Sequence, residues 1–134
     1  MPKLLYEDIT YKIRGACFSV YNELGSIREK TIEKALSVEL EEAGLKFETQ
    51  VPVKLHYKGI EIGKYIPDFV IEDKIFLELK SKPHITKDDM KQFWDYLKQS
   101  EYKLGLLVAF TPEKLIIKRY VYDEARNKKP GNSS

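Results

Sequence analysis

Hydrophobic positions in this chain recur first at helical spacing and then at alternate residues, and the switches between the two periods mark its elements. From about Asp8 to Leu24, the residues Ile9, Ile13, Ala16, Cys17, Val20 and Leu24 fall on one side of a helix that Gly25 stops. Ser26-Ile27-Arg28-Glu29 has the form of a capping box opening a second helix, with Ile32, Ala35, Leu36, Leu40 and Ala43 on its apolar face and Gly44 at its end. From Lys46 the period becomes two. Phe47, Val51, Val53, Leu55 and Tyr57 predict a strand, Lys58-Gly59 a turn, and Ile60 to Ile66 the returning strand. Thr86 with Asp89 is a second candidate cap, and Met90, Phe93, Trp94 and Leu97 form the stripe of a helix to about Gln99. Leu104 to Phe110 reads as a buried strand. A turn at Thr111-Pro112-Glu113-Lys114 leads into a last strand, Leu115 to Val121.

Between the returning strand and the third helix lies an acidic hairpin. Its arms are Tyr65 to Ile71 and Ile75 to Lys80, joined by Glu72-Asp73-Lys74. With those three residues as the loop, Ile71 faces Ile75, Phe69 faces Leu77, and Asp68 faces Glu78. Alternation then sorts Phe69, Ile71, Ile75, Leu77 and Leu79 to one face, and Asp68, Val70, Phe76, Glu78 and Lys80 to the other. A two-residue loop would mix the sets. Opposed carboxylates cost roughly 0.2–1 kcal/mol unless something neutralises them. A hard divalent cation such as magnesium would do so, completing its shell with water and phosphate oxygens. A nearby ammonium, here Lys80, can orient an attacking water or offset developing charge. The alternative is a solvated hairpin face on which Lys80 simply pairs with one of the acids.

Composition narrows the setting more than the chemistry. A chain of 134 residues, 43% hydrophobic and 33% charged, fits one soluble domain with a proper core. One cysteine, Cys17, and two histidines, His56 and His84, cannot furnish a structural zinc site or an internal disulfide, which makes a reducing cytoplasm the default location. The longest uncharged apolar run, Leu104 to Phe110, is too short for a bilayer, so no membrane is expected. A net charge of +2 neither demands nor excludes nucleic acid. Lys82, Lys87 and Lys91 suit either phosphate-backbone contacts or a solvated helix entrance. Residues 123–134, with Arg126, Lys128 and Lys129, read as a polar, frayed tail behind a domain of residues 1–122.

The run Pro67-Asp68, nine intervening residues, then Glu78-Leu79-Lys80, resembles the signature of the PD-(D/E)xK nuclease superfamily. The flanking sequence is similar to the GxxExxY family within it, from about Tyr6 to Tyr122. The matching stretches are Leu24-Gly25, Glu29 to Leu40, Gln50-Val51-Pro52, Tyr57-Lys58-Gly59, Leu104 to Leu107 and Lys118-Arg119. The chain departs from the pattern in having Ser26 at the glycine position, Ile32 at the tyrosine position, and a loop one residue short before Glu29. The resemblance implies an α/β restriction-endonuclease-like core, a central mixed β-sheet flanked by helices. It implies a Mg2+- or Mn2+-dependent nuclease acting on nucleic acid, DNA before RNA, with a homodimer as one arrangement that would cut both strands. Asp68, Glu78 and Glu29 would hold the metal and Lys80 would assist the water. Gln92 and Tyr96, at i and i+4 on the third helix, resemble the Gln-x-x-x-Tyr motif of RecB-type members and would support the site.

A second class stays open on sequence grounds. The same fold can persist as a non-catalytic nucleic-acid-binding or protein-interaction module. For Glu29 the residues also permit a purely local role, since Ser26-x-x-Glu29 could spend its carboxylate on the helix cap.

Overall fold

A computed structural model describes residues 4–123; the rest of the expected tail, residues 124–134 with its three basic residues, lies outside them. Two helices come first, α1 (Glu7–Leu24) and α2 (Glu29–Glu42). The strands β1 (Phe47–Glu48), β2 (Val53–Tyr57), β3 (Ile60–Tyr65), β4 (Phe69–Ile71) and β5 (Ile75–Lys80) follow. Then come α3 (Lys87–Gln99), β6 (Leu104–Phe110) and β7 (Leu115–Val121). Five strands form a mixed sheet in the order β1-β4-β5-β6-β7, while β2 and β3 pair only with each other as an antiparallel ribbon. β5 and β6 are the parallel pair and α3 is their crossover, as parallel neighbours require. No helix among the described residues is long and apolar enough to cross a membrane.

The expected hairpin register is present over Phe69 with Leu77, Val70 with Phe76 and Ile71 with Ile75, but the first arm is shorter than expected: Tyr65 ends β3, β4 starts at Phe69, and Asp68 lies just outside the ladder. Glu72 and Asp73 turn the chain with φ of 53 and 57, and Lys74 N–H closes the loop on the Ile71 carbonyl at 3.1 Å. Alternation then supplies two cores. Phe69, Ile71, Ile75, Leu77 and Leu79 bury against α1 and α2, on Ile13, Val20, Ile32, Leu36 and Leu40. Val70 and Phe76 bury against Phe93 and Leu97 of α3 and against Val53, Leu55 and Tyr65 of the ribbon. Each such side chain contributes roughly 1.5–3 kcal/mol when fully buried, so this pattern holds the three layers together. Cys17 belongs to the first core, and burial pushes its thiol up to about 12; it is an inert filler.

Two further expectations need correction. The strand predicted from Phe47 to Tyr57 is broken: Phe47–Glu48 joins the main sheet beside β4, and Val53–Tyr57 starts the separate ribbon. Gln50 adopts a left-handed φ of 62, and Pro52 has no N–H to give a ladder, so the chain turns between the two sheets there. The capping box at Ser26 does not form either. α2 starts at Glu29 with Arg28 as its N-cap and no side-chain cap, because the Ser26 hydroxyl instead donates to the Phe110 carbonyl at 2.9 Å. The other box is intact: Asp89 N–H donates to Thr86 Oγ1 and Thr86 N–H to Asp89 Oδ2, each at 3.0 Å.

Candidate active site

β5 carries the chemistry because alternation along a buried strand puts Glu78 and Lys80 on the α3 face while Leu77 and Leu79 stay in the other core. Its C-terminal end, where Lys80 lies level with Ala109 of β6, is where the site assembles. Asp68 precedes β4 and returns to this point through the hairpin. The Leu79 backbone N–H donates to Asp68 Oδ2 at 2.7 Å, which fixes one carboxylate oxygen. Both oxygens of Glu78 are engaged: the Tyr65 hydroxyl donates to Oε1, and Lys80 Nζ lies 2.9 Å from Oε2. Lys80 and Glu78 side chains are only 24% and 19% exposed, so this pair is shielded enough for its charges to matter.

The site carries an excess of negative charge. Burial, helped by the charges of Glu78, Glu33 and Glu29 and opposed by the Leu79 N–H, raises the Asp68 pKa from 3.8 to about 6. Burial works against a charge on Lys80, but the hydrogen bond and charge of Glu78, with Asp89 and Glu29 behind them, outweigh it and hold the ammonium above its usual range. Tyr65 is pushed up by burial and then by Glu78, so its hydroxyl stays protonated and remains a donor. Glu29 thus acts on both Asp68 and Lys80 from the first turn of α2. Glu33, one turn further along the same helix face, joins it.

The α1–α2 loop that leads to Glu29 is tied to this end of the sheet. Ser81 Oγ donates to the Ile27 carbonyl, Ser26 to Phe110, and the Tyr21 hydroxyl to the Thr111 carbonyl at 2.6 Å. From the other side, Tyr96 stacks on Tyr65 with ring centroids 4.1 Å apart and planes 16° off parallel. Asp89, Gln92 and Tyr96 are i, i+3 and i+7 on α3, hence one stripe. Its two ends act on Lys80 and on Tyr65, and Gln92 stands between them, exposed. Of the lysines suited to phosphate, Lys82 is paired with Asp89, whose pKa that contact lowers to about 2, and Lys91 is paired with Asp95.

Among the described residues no three of His, Cys, Asp and Glu converge tightly enough to hold a metal ion by themselves. The donor chemistry still suits a hard cation. Asp68 and Glu78 offer carboxylate oxygens beside each other, and three acids, Glu78, Asp89 and Glu29, act on the one lysine, Lys80. Magnesium typically uses one or two carboxylates and keeps several waters or phosphate oxygens.

A mixed sheet between helices, with a central hairpin bringing an Asp beside a Glu-x-Lys, defines the chain as an α/β domain with the restriction-endonuclease-like core. A sequence model of the PD-(D/E)XK nuclease superfamily matches residues 7–120, and the chain belongs to that family. No curated protein sequence matches it. Among solved structures, an alkaline exonuclease from Laribacter hongkongensis aligns with a TM-score of 0.49 at 13% identity, covering 95% of this chain and 75% of that one. The crystal structure of SSO0001 aligns with a TM-score of 0.45 at 20% identity, covering 88% and 68%. Both scores fall below 0.5, and the family assignment stands on the sequence match.

Proposed function

We propose that this chain is a divalent-metal-dependent nuclease of the GxxExxY group, acting in the cytoplasm, which hydrolyses phosphodiester bonds of nucleic acid, DNA before RNA. The observation that carries the reading is the gathering of Asp68 and Glu78 at the end of β5, where Leu79 N–H fixes Asp68 and burial and the surrounding acids raise it to about 6. Such an accumulation of carboxylates is unfavourable unless a cation offsets it, and it supports a metal role for both. Asp68 and Glu78 would hold Mg2+ or Mn2+, with Glu29 adding its charge from α2. The chemistry a bound cation supplies is polarisation of a phosphoryl oxygen and a lowered pKa for water.

The chain's own groups do the rest. Lys80, charged and hydrogen-bonded to Glu78, is placed to donate to the attacking water or to a phosphate oxygen. Tyr65 holds the rotamer of Glu78 through its hydroxyl, and Tyr96 holds the plane of Tyr65 by stacking. Gln92, exposed on the same stripe, would support the site. The test is cleavage of end-labelled single- and double-stranded DNA and RNA in magnesium, manganese or chelator by wild type and Glu78→Gln. Metal-dependent cutting that is lost in Glu78→Gln is the expected result. Cutting that survives the substitution would sink the assignment, and retention of the strands without cutting would favour a binding module.

A further inference from the structure

The β2–β3 ribbon stands outside the main sheet, and its register sets Lys54 directly opposite Lys64. Like charges facing each other across strands repel. Glu61, the single acid of the ribbon, lies 4.0 Å from Lys54, and no acid among the described residues pairs with Lys64. Lys58 at the turn adds a third positive charge. Tyr57, Ile60, Ile62 and Ile66 on the same segment are 55–67% exposed. The ribbon is anchored through its inward residues Val53, Leu55 and Tyr65, so this outward combination of lysines and apolar groups contributes nothing to its anchoring.

The ribbon is also continuous with the carboxylate site. Its last residue, Tyr65, donates to Glu78, and Asp68 follows three residues later. Its tip, Lys58-Gly59, lies beside Ser100, Tyr102 and Lys103, at the opposite end of the sheet from Lys80. The five steps from Ile60 to Tyr65 cover about 17 Å at roughly 3.3 Å each, comparable to about five base steps of duplex. Lys54 and Lys64 stand near the Tyr65 end of the ribbon and Lys58 at its tip, all three exposed, with Glu61 beside Lys54 as the one acid among them.

We infer that this ribbon tracks the substrate: the unreacted part of a nucleic-acid strand leaves the carboxylate site along β2–β3, its phosphates held by Lys54, Lys64 and Lys58. The inference rests on the nuclease reading of the site. Charge complementarity selects the occupant, since a polyanion relieves the Lys54–Lys64 repulsion. Backbone contacts of this kind fix register without reading sequence.

The test uses the full chain carrying Asp68→Asn, in chelator, binding labelled single-stranded and duplex DNA across a salt series. Each lost phosphate contact removes about 0.9 from the slope of log affinity against log salt for duplex and about 0.7 for a single strand. Lys54→Gln with Lys64→Gln is therefore expected to lower the slope by about 1.8 or about 1.4, respectively. The same pair of substitutions in the otherwise wild-type chain should raise KM and spare kcat. Melting temperature should hold or rise, because the substitutions remove a repulsion; a purely structural role would lower it. Lys12→Gln on α1 serves as the control and should leave the slope unchanged.

Binding with an unaltered slope in the double variant overturns the ribbon assignment while leaving the nuclease reading intact. Absence of both binding by the Asp68→Asn chain and cutting by the wild type overturns the two together. A dimer that Ile62→Lys dissociates, combined with unaltered slopes, would assign the ribbon to a second copy of the chain instead.

Discussion

Asp68 is where burial and charge act on one group, and its proton is the most informative in the molecule. Its folded pKa of about 6 lies above the ordinary 3.8, so the folded chain binds this proton more tightly than the unfolded one. The resulting stabilisation is fully present below 3.8 and is lost as pH rises through about 6. At neutral pH without metal, an ionised Asp68 therefore works against the fold. Asp68→Asn is expected to raise the melting temperature in chelator at about pH 7.5, by an equivalent on the order of 1 kcal/mol once partial exposure is allowed for. At about pH 4 the gain should vanish, since the native residue is then already neutral. Identical melting of the two proteins at both pH values would show that Asp68 ionises without penalty. Strand alternation in the sequence puts Glu78 and Lys80 on one face, while Asp68 stands just before β4 and is brought beside them by the Leu79 N–H. Tyr65 was not legible in the sequence: a tyrosine ending an alternating strand reads as core, and its partner depends on how the ribbon folds back over β5.

At the scale of elements, local pattern decides where the tertiary surroundings offer no competitor. Thr86-x-x-Asp89 and Ser26-x-x-Glu29 look alike as caps, yet only the first forms, because the Ser26 hydroxyl finds the Phe110 carbonyl 84 residues away. That exchange leaves the Glu29 carboxylate outside any cap and turned over to the site's electrostatics. The strand break at residues 49–52 has the same origin, since a period-two pattern runs on through Val51 while Gln50 and Pro52 stop the ladder. Ser81 tests what the loop ties do. Removing its hydroxyl strips the Ile27 carbonyl of a partner two residues before Glu29, at a cost of roughly 1 kcal/mol. Ser81→Ala should lower the urea midpoint accordingly and slow cleavage further, even at a temperature where both proteins are fully folded. An unchanged rate beside a lowered midpoint would make the tie structural only and remove Glu29 from the working site.

Across the whole molecule, periodicity identifies the elements but carries no information on their order in the sheet, β1-β4-β5-β6-β7, which long-range packing decides. The spacing between layers is likewise invisible to periodicity, although one residue sets it. Gly105 on β6 lies under Phe93 of α3 and beside Phe76 of β5; a Cβ there would sit 2.9 Å from Phe93 and 3.0 Å from Phe76. Both rings are buried and pack edge to face, so neither can swing clear. Gly105→Ala must therefore lift α3 from the sheet, with an overpacking cost of about 1–3 kcal/mol. Tyr96 sits one turn beyond Phe93 on the same helix, and its stack on Tyr65 would be displaced with it. The expected outcome is a lower denaturant midpoint together with a loss of near-ultraviolet circular dichroism from the aromatic cluster, and cleavage that falls beyond what the unfolded fraction accounts for. If cleavage per folded molecule is unchanged, α3 only covers the core and the Tyr96–Tyr65–Glu78 chain does not hold the site in place.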